Sequence, residues 1–432
     1  MKFKSFIMNL FKFFKNQKLN YCILGSFILL PNLNKKKDID ILIDEKNLEI
    51  ILKYLIKNFK VTAINKRQYC CSVFLADIYQ KNRDSIMLDF IFHNGLKGIN
   101  MIDNNKIFSN SINYKNEFIK IPCKEHRIII LFIKNIINNN NLQEKDLNKL
   151  LKKKNNLNLK KVLYISNFFS KSFRKYLLNY YNCKKINVIK NYIFIFKIWF
   201  ILINLIKNPF NFQNIIKYYF LELKNRFTFY TIKNICFLGT DGSGKSYIIS
   251  HVKKKIGDRF YNCNSFHLRP FLSNQTKSKK VINPHNTNSW PFIIAILKLF
   301  YWIIVYHLKN NFHGNKQMTL NLWDRYIHDI LVDPKRYKLK ENQKLYKLFI
   351  ELAPRPLHIF IIKTNPKLSY LRKKELSVKI IKELQNKYLK LIYNYKNVTI
   401  INNSNSFKKT TNIVLKKITQ ILHSNIKKEF KV

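Results

Sequence analysis

A glycine-rich turn between an apolar run and a helical pattern is the feature of this sequence that most constrains its fold. The apolar run covers residues 235–238, the turn reads Gly-Thr-Asp-Gly-Ser-Gly-Lys-Ser over residues 239–246, and apolar positions recur with helical spacing over residues 247–252. A GxxxxGK(S/T) pattern indicates a phosphate-binding loop when it joins a strand to a helix in this way. The chain has 8 glycines, three of which fall in this turn. A chance match is therefore expected only on the order of once in several hundred such chains.

The residue types of this turn suit the binding of a nucleoside triphosphate. Glycines allow successive backbone N–H groups to curl around phosphate oxygens at close range. Lys245 would reach the β- and γ-phosphates, and the Ser246 hydroxyl would ligate Mg²⁺ beside the positive end of the helix dipole. We therefore expect ATP and Mg²⁺ as cofactors. The residues expected to contact the nucleotide are Gly239, Asp241, Gly242, Ser243, Gly244, Lys245 and Ser246.

A second group of polar residues follows a predicted strand at residues 319–323. The strand leads into Asp324, Arg325 and Tyr326, and Arg336 follows in a polar and acidic stretch. Side chains at the carboxyl end of a parallel strand lie on the ligand side of an open α/β sheet. Asp324 could hold the metal or its water, and the two arginines could clamp a phosphate bidentately. Surface salt bridges are the alternative for these residues.

A further strand is predicted at residues 357–362, with a basic helix after it. The Asn-Pro at 365–366 opens this helix, which is expected to carry Arg372 and the lysines at 373 and 374. Such a helix would exclude water and neutralise charge in the transition state if it closed over the phosphates. The alternative is a solvated helix face.

Together these segments resemble thymidylate kinase. The glycine loop has that family's GxDGxGK(S/T) form, the Asp-Arg-Tyr at 324–326 matches its DR(Y) motif, and the basic residues at 372–374 match its lid. The resemblance covers about residues 232–402. It implies a P-loop fold, ATP with Mg²⁺ as the phosphoryl donor and a nucleoside monophosphate as the acceptor, with dTMP as the first choice.

The resemblance also implies roles for individual residues. Asp241 would contact the sugar hydroxyl of the acceptor, and Arg269 and Arg325 would contact its phosphate. Arg372 would supply the catalytic charge, because Ser243 stands where some members of the family carry a basic residue in the loop. The catalytic set is then Lys245, Asp324, Arg325 and Arg372, and the substrate-binding set is Asp241, Arg269, Arg325, Tyr326 and Arg336. After residue 326 the chain departs from the family, because Ile-His-Asp-Ile-Leu stands where a serine and a base-contacting Ala-Tyr-Gln segment usually follow.

The N-terminal part of the chain carries a separate group of carboxylates. A predicted strand leads into a Gly-Ser turn at 25–26, Asp38 and Asp40 share one face of a second strand because side chains alternate along it, and Asp89 lies on a later strand. This arrangement resembles the nucleotidyltransferase superfamily over about residues 18–135. The resemblance implies an α+β domain in which Asp38, Asp40 and Asp89 hold a second Mg²⁺ and a triphosphate. An Asp-x-Asp in an edge strand with no ligand is the alternative.

These patterns predict two folded domains joined by helices. The expected divisions are residues 1–115 for the nucleotidyltransferase-like domain, 116–186 for a helical companion with helices at 125–137 and 142–152, 187–228 for an amphipathic helical linker, and 229–425 for a parallel α/β domain of the P-loop type. The apolar stripe in residues 3–14 is interpreted as an ordinary first helix, with a targeting or membrane-surface helix as the alternative. The apolar stretches at 193–206 and 292–306 are shorter than the about 20 residues that a bilayer requires.

The net charge of +55, from 79 Lys and Arg against 24 Asp and Glu, is spread along the whole chain. Lys, Asn, Ile, Phe and Tyr are enriched together while Gly and Pro are scarce, which is the pattern of an AT-rich coding sequence. We therefore interpret the charge as a diffuse solvated surface, and nucleic acid is not expected as a partner. A peripheral membrane contact and a homodimer remain open.

The seven cysteines show no CxxC pair and no zinc spacing, which indicates reduced thiols and a cytoplasmic protein.

The function expected from the sequence is ATP-dependent phosphoryl transfer to a nucleoside monophosphate. Two alternatives belong to other classes. One is nucleotidyl transfer to a small-molecule or sugar acceptor by the N-terminal domain, with the P-loop domain in a regulatory role. The other is a non-enzymatic protein that relies on its positive charge to associate with nucleic acid or a membrane.

Overall fold

In the computed structural model the chain divides into two compact units. The N-terminal unit is made mainly by residues 1–228 and the C-terminal unit mainly by residues 229–431. The structure describes residues 3–25, 30, 38–76, 85–93, 95–100, 102–127, 129–130, 189–227, 232–257, 260, 262–268, 288–312, 319–403 and 406–432. Ser26, Arg269 and the predicted helix at 142–152 lie outside these ranges, as does most of the predicted helix at 125–137.

A five-stranded mixed sheet organises the N-terminal unit. Its strands are β1 (Tyr21–Ile23), β2 (Ile39–Ile43), β3 (Lys60–Lys66), β4 (Cys70–Ala76) and β5 (Ser85–Ile91), in the spatial order β1-β2-β5-β4-β3. Strand β2 runs parallel to β5, whereas β1 pairs with β2 and β4 pairs with β5 in the antiparallel direction. Two helices, α1 (Phe3–Asn16) and α2 (Leu48–Asn58), accompany the sheet. The apolar stripe of α1, with Phe6, Leu10 and Phe14, is buried in the core, as expected of an ordinary first helix.

Two short hairpins and three further helices also belong to the described part of this unit. The hairpins are formed by β6 (Gly95–Leu96) with β7 (Ile99–Asn100) and by β8 (Ser111–Tyr114) with β9 (Asn116–Pro122), and the helices are α3 (Asn104–Ser109), α4 (Ile189–Lys207) and α5 (Asn211–Phe227). Residues 124–127 and 129–130 are also helical. Among the helices of the described ranges, none is both long enough and apolar enough to cross a membrane.

A five-stranded sheet with all strands parallel organises the C-terminal unit. Its strands are β10 (Ile232–Leu238), β11 (Asn262–His267), β12 (Thr319–Asp324), β13 (His358–Lys363) and β14 (Val398–Asn402), in the spatial order β11-β12-β10-β13-β14. The three central strands are buried over almost their whole length. Continuous apolar runs are typical of parallel strands that are covered on both faces. The parallel α/β class predicted for this part of the chain is confirmed.

The helices of this unit are α6 (Lys245–Ile256), α7 (Phe292–Phe312), α8 (Gln343–Leu352), α9 (Pro366–Arg372), α10 (Val378–Asn394) and α11 (Phe407–Phe430). Two 3₁₀ turns, Ile327–Leu331 and Lys335–Tyr337, follow β12. Around Trp323 at the end of that strand, Tyr306 and Tyr326 pack edge to face with ring centroids 4.9 and 5.2 Å away. These aromatic rings anchor the segment after β12 in the core.

The basic segment after β13 differs from its predicted form. Helix α9 begins at the cap Asn365, whose side chain accepts the N–H of Lys367 at 3.0 Å, and it ends at Arg372. The chain then leaves the helix at Lys373, and the side chain of Ser377 caps the start of α10. The helix predicted to open at residues 365–366 is present and carries Arg372, but its predicted extension over Lys373 and Lys374 was wrong, because the helix ends at Arg372.

The sheet order places two loops beside each other. Strand β10 lies between β12 and β13, and Phe237 is the register partner of both Asp324 and Phe360. Parallel neighbours end at the same edge of a sheet, so the loops that follow β10 and β12 emerge together. The backbone N–H of Arg325 donates to the Phe237 carbonyl at 2.9 Å, which joins the starts of the two loops.

Candidate phosphate-binding site

The turn after β10 has a backbone that requires glycine. Gly239, Gly242 and Gly244 have φ angles of 145°, 74° and 90°, in the region that side chains with a Cβ rarely adopt. A Cβ would also meet the Ile362 carbonyl oxygen at 2.6 Å at Gly239, and the Ser369 carbonyl oxygen at 2.2 Å at Gly242. Both obstacles are backbone atoms that cannot move aside. The three glycines are therefore fixed by the path of the loop and by its close packing on neighbouring segments.

Side chains from three other segments hold this loop. The Ser243 carbonyl accepts from Thr364 Oγ1 at 3.1 Å and from Asn403 Nδ2 at 2.7 Å. The Gly242 carbonyl accepts from Arg372 Nη1 at 3.4 Å. Satisfying these carbonyls from outside fixes the shape of the turn without using its N–H groups, which are the donors that a phosphate needs.

Lys245 opens helix α6 and is buried inside the loop. Its ammonium donates to the carbonyls of Gly239 at 2.9 Å and Thr240 at 2.8 Å, and lies 3.3 Å from Ser243 Oγ. Burial, together with the charge of Arg325, lowers the pKa of Lys245 to about 8. A desolvated ammonium at the positive end of a helix is a strong site for a polyphosphate, because water screens its charge poorly.

Ser246 and Asp324 meet at the edge of the loop. The Ser246 hydroxyl donates to Asp324 Oδ2 at 2.8 Å. The other oxygen, Asp324 Oδ1, is buried and has no hydrogen-bond partner among the residues that the structure describes. A hydroxyl and a carboxylate with a spare oxygen fit Mg²⁺, which takes hard oxygen ligands and usually has only one or two from the protein besides phosphates and water. The two residues predicted to hold the kinase metal are thus brought together.

A buried arginine joins the two loops of the site. Arg325 has φ of 67° and is almost fully buried. Its Nη1 donates to Asp329 Oδ2 at 2.6 Å and to the Tyr388 hydroxyl at 3.1 Å, and its Nη2 donates to Asp241 Oδ1 at 3.0 Å. Burial alone would lower its pKa, but the carboxylates outweigh burial and raise the pKa of Arg325 well above its ordinary value. The guanidinium predicted to contact a phosphate is therefore fully ionised and already bound to two carboxylates.

Asp241, in the glycine loop, is surrounded by cations. Besides Arg325 it pairs with Arg336 Nη1 through Oδ2 and with Lys373 Nζ, 3.5 Å from Oδ1. Burial favours a raised pKa, but the charges of Arg325, Lys245, Arg336 and Lys373 outweigh it and hold the pKa of Asp241 far below its usual range. This carboxylate stays ionised and connects the glycine loop to the segments after β12 and α9.

Asp329 is a residue whose role the sequence did not reveal. Its carboxylate is completely buried and accepts from Arg325 and from the hydroxyls of Tyr337 and Tyr388. Burial favours a raised pKa, but Arg325 and the two tyrosines hold the pKa of Asp329 below its ordinary value. The sequence offered one signal, an unusually acidic stretch in a chain poor in carboxylates, but nothing in it identified the tyrosine partners.

The remaining predicted residues fall in different surroundings. Arg372 lies over the Phe407 ring at 4.6 Å, beside the glycine loop, and its catalytic role stays a prediction. Tyr326 is buried in the aromatic core, and its hydroxyl donates to the Pro354 carbonyl at 2.6 Å. The structure thus places Tyr326 in the packing of the core, with its hydroxyl bound to a backbone carbonyl, and its contact with a substrate stays a prediction.

The carboxylates of the N-terminal unit are only partly assembled. Asp40 on β2 and Asp89 on β5 are direct register partners on parallel strands. Gly25 lies so close that a Cβ there would meet Asp40 Oδ2 at 2.5 Å. Asp38, however, precedes β2 and is exposed. Within the described ranges no three His, Cys, Asp or Glu side chains cluster closely enough to hold a metal ion. The structure therefore brings Asp40 and Asp89 together but does not group them with Asp38, and a metal site at these residues stays a prediction.

Comparisons with known proteins found similar structures but no similar sequences. No protein-family model matches the chain, and no curated protein matches it. Among solved structures, thymidylate kinase from Candida albicans is similar with 15% identity over 45% of this chain and 94% of its own, at a TM-score of 0.33. Thymidylate kinase from Ehrlichia chaffeensis (16% identity, 44% and 99% coverage) and deoxyadenosine kinase from M. mycoides (15% identity, 44% and 99%) both give a TM-score of 0.29. Similarities of this size identify no substrate. A proposal for the function therefore rests on the residues of the site.

We expect the stability of the protein to fall on acidification below about pH 4, the ordinary range of aspartate. The folded-state pKa values of Asp241 and Asp329 are lowered, so their contribution is complete above the unfolded-state pKa and is lost as the pH falls through the folded-state pKa. Urea denaturation over a pH series measures this loss.

Asp329→Asn should lower the free energy of unfolding at neutral pH by about 3–5 kcal/mol, because it leaves a buried charge incompletely paired.

The same substitution should also flatten the pH dependence, since one of the two perturbed carboxylates is gone. Glu351→Gln, at an exposed position of α8, is the matched control and should behave like the wild type. An unchanged pH dependence in Asp329→Asn would contradict the assignment of Asp329 as an ionised partner of Arg325.

Proposed function

We propose that the C-terminal unit transfers the terminal phosphoryl group of ATP to a phosphorylated acceptor, a nucleoside monophosphate. The observation that supports this most strongly is the pair formed by Ser246 Oγ and Asp324 Oδ2, 2.8 Å apart, next to the buried Lys245. A glycine loop alone could bind any anion. A loop with a buried lysine and an adjacent hydroxyl–carboxylate pair is suited to a metal-bound triphosphate.

On the donor side, the loop and the first turn of α6 would hold the phosphates. Lys245 would exchange its loop carbonyl partners for phosphate oxygens, and Ser246 and Asp324 would hold Mg²⁺. When bound, the ion supplies neutralisation of charge on the transferred group. Phosphoryl transfer needs positioning and charge stabilisation more than covalent chemistry from the protein. Arg372, beside the Gly242 carbonyl, is the cation placed to add charge at the open side of the loop.

On the acceptor side, Arg336 and Lys373 are the cations available for a phosphate. Both pair with Asp241 and both are more exposed than Arg325. A phosphate dianion carries more charge than a carboxylate and accepts more hydrogen bonds, so it would compete for these donors. Asp241 would then be left to accept a hydrogen bond from a sugar hydroxyl, and dTMP remains the acceptor of first choice within this proposal. Arg325, which is held by Asp241 and Asp329, would support the acceptor site from its buried side.

Turnover of ATP by the full-length protein tests the proposal directly. We expect ADP release that depends on a phosphorylated acceptor, measured across dTMP, dUMP, dCMP, dAMP, dGMP and UMP. Lys245→Ala should reduce the rate by at least about a hundredfold, because it removes the buried cation that faces the transferred charge. Lys254→Ala, at an exposed position of the same helix, is the matched control and should retain full activity.

Each outcome of this assay separates the possibilities. Stimulation by one deoxynucleoside monophosphate, lost in Lys245→Ala and kept in Lys254→Ala, would support the proposal and name the acceptor. ADP release that no nucleotide stimulates, or a rate that Lys245→Ala leaves unchanged, would refute it.

A second candidate function, nucleotidyl transfer, is supported by one observation in the N-terminal unit. Asp40 and Asp89 are aligned on adjacent parallel strands, and Gly25 lies so close to Asp40 that no side chain would fit between them. Two carboxylates side by side suit a divalent cation with a triphosphate. We propose this activity as additional to phosphoryl transfer.

Incorporation of label from α-phosphate-labelled nucleotides tests this second function. Asp40→Asn should abolish incorporation, because it removes one of the two aligned carboxylates, whereas Lys245→Ala should leave it intact. Glu49→Gln, an exposed acid on α2, is the control and should have no effect. The second function would be refuted if the wild type incorporated no label with Mg²⁺ or Mn²⁺. It would also be refuted if Asp40→Asn still incorporated label.

A further inference from the structure

Helices α4 and α5 of the N-terminal unit are joined by a short turn, and each carries exposed apolar side chains; the pair is called the α4–α5 hairpin. The spacing of the exposed residues is four along α4 and three or four along α5, which places them on one face of each helix. The exposed apolar side chains of this hairpin are Ile198, Leu202, Ile206, Phe210, Phe212, Ile216, Tyr219, Phe220 and Leu223. Exposure is greatest around the turn between the helices, at 81% for Ile206 and 72% for Phe210. The turn with Ile206 and Phe210, called the tip of the hairpin, is therefore its most exposed apolar part.

The other face of the hairpin is anchored within its own unit. Asn211 Nδ2 donates to the Asn204 carbonyl at 3.1 Å and ties α5 to α4. Tyr218 stacks on Tyr69 with ring centroids 5.5 Å apart, and Gly98 packs so closely that a Cβ there would meet the Asn214 carbonyl oxygen at 2.5 Å. Because these contacts orient the hairpin, its outward face is not the side that the unit uses for its own core.

Lysines accompany the apolar face. Lys207, Lys217 and Lys224 are exposed on the two helices, and the ammonium of Lys97 lies 5.5 Å from the centre of the Tyr219 ring. The only acidic residue in the sequence from 189 to 227 is Glu222. An apolar face rich in aromatic rings and fringed by lysines is the pattern of helices that lie in a membrane interface, where long basic side chains reach the headgroups.

A second exposed apolar stripe, on α7 of the C-terminal unit, lacks this combination. It includes Ile293, Leu297 and Ile304. The single charged residue between residues 292 and 304 is Lys298, whose ammonium lies over the rings of Trp290 and Trp302 at 4.9 and 5.7 Å. That cation is occupied by its own aromatic neighbours. Of the two surfaces, the α4–α5 hairpin is therefore the one whose charge is complementary to an anionic surface.

We propose that the α4–α5 hairpin docks the protein on a membrane surface that contains anionic phospholipid. The tip would enter the headgroup region, with Lys207, Lys217 and Lys224 against the lipid phosphates. A fluid interface can close around exposed apolar side chains such as Ile206 and Phe210, whereas a protein partner would have to offer a matching groove. Interspersed lysines also favour lipid, because lysine is depleted from the cores of protein–protein interfaces. Docking of this kind would determine where the protein acts, and it does not depend on the proposed reaction.

Flotation of the full-length protein with vesicles tests this proposal. The two lipid probes are phosphatidylcholine alone and phosphatidylcholine mixed with phosphatidylglycerol. We expect the wild type to float with the anionic vesicles and to bind less as salt is added. Phe210→Ser/Phe220→Ser should weaken binding by at least about tenfold, because two exposed aromatic anchors are lost. Tyr393→Ser/Ile413→Ser, which removes two exposed apolar residues elsewhere, should bind like the wild type.

The outcomes distinguish docking by the hairpin from attraction by the rest of the protein surface. Circular dichroism and thermal unfolding confirm that each variant is folded. Wild-type protein that stays out of the anionic vesicle fraction would overturn the proposal. Binding that Phe210→Ser/Phe220→Ser leaves unchanged would also overturn it, since the attraction would then come from charge elsewhere. A wild type that self-associates in the absence of lipid, with the hairpin variant monomeric, would assign the surface to a second copy of the chain and overturn the membrane proposal as well.

Discussion

The C-terminal unit depends on one buried cation between two carboxylates. Arg325 binds Asp241 in the glycine loop and Asp329 in the segment after β12, and Tyr388 of α10 completes its hydrogen bonds. Desolvating three charges is costly, so the cluster is stable only as a whole, and removal of one partner leaves the others uncompensated. The same contacts set the distance between the two loops at the carboxyl edge of the sheet. The geometry of the candidate phosphate-binding site is therefore fixed by a charge cluster of protein side chains.

The other functional groups of the candidate site are positioned by the strands and loops around this cluster. Strand β10 delivers the glycine loop and Lys245, and β12, its parallel neighbour in register, delivers Asp324 to Ser246. The buried ammonium and the hydroxyl–carboxylate pair are chemically different, and a metal-bound triphosphate needs both. The cations that remain at the open side come from other segments, Arg336 from the turn after β12 and Arg372 and Lys373 from the end of α9. Under the proposed function, separate elements would therefore bind the donor and the acceptor.

Local signals in the sequence predicted the parts of the site that depend on local structure. The glycine spacing, the apolar run before it and the helical pattern after it predicted the strand, loop and helix, because each rests on backbone conformation. The pairing of Arg325 with Asp329 and Tyr388 could not be predicted, because Tyr388 is brought in from α10, 63 residues away. Burial of Tyr326 also depends on tertiary packing. The sequence prediction extended the basic helix beyond Arg372, where α9 ends in the structure.

The most direct test of this account is the affinity for ATP with and without Mg²⁺, measured by calorimetry on the wild type and on Asp324→Ala. If Ser246 and Asp324 hold the ion beside the loop, the wild type should bind ATP at least about tenfold more tightly with Mg²⁺ than without it. Asp324→Ala should lose that difference and keep the weaker, metal-independent affinity that the loop and Lys245 provide. Equal affinity in the wild type with and without Mg²⁺, or a metal effect that survives in Asp324→Ala, would contradict the assignment of this site.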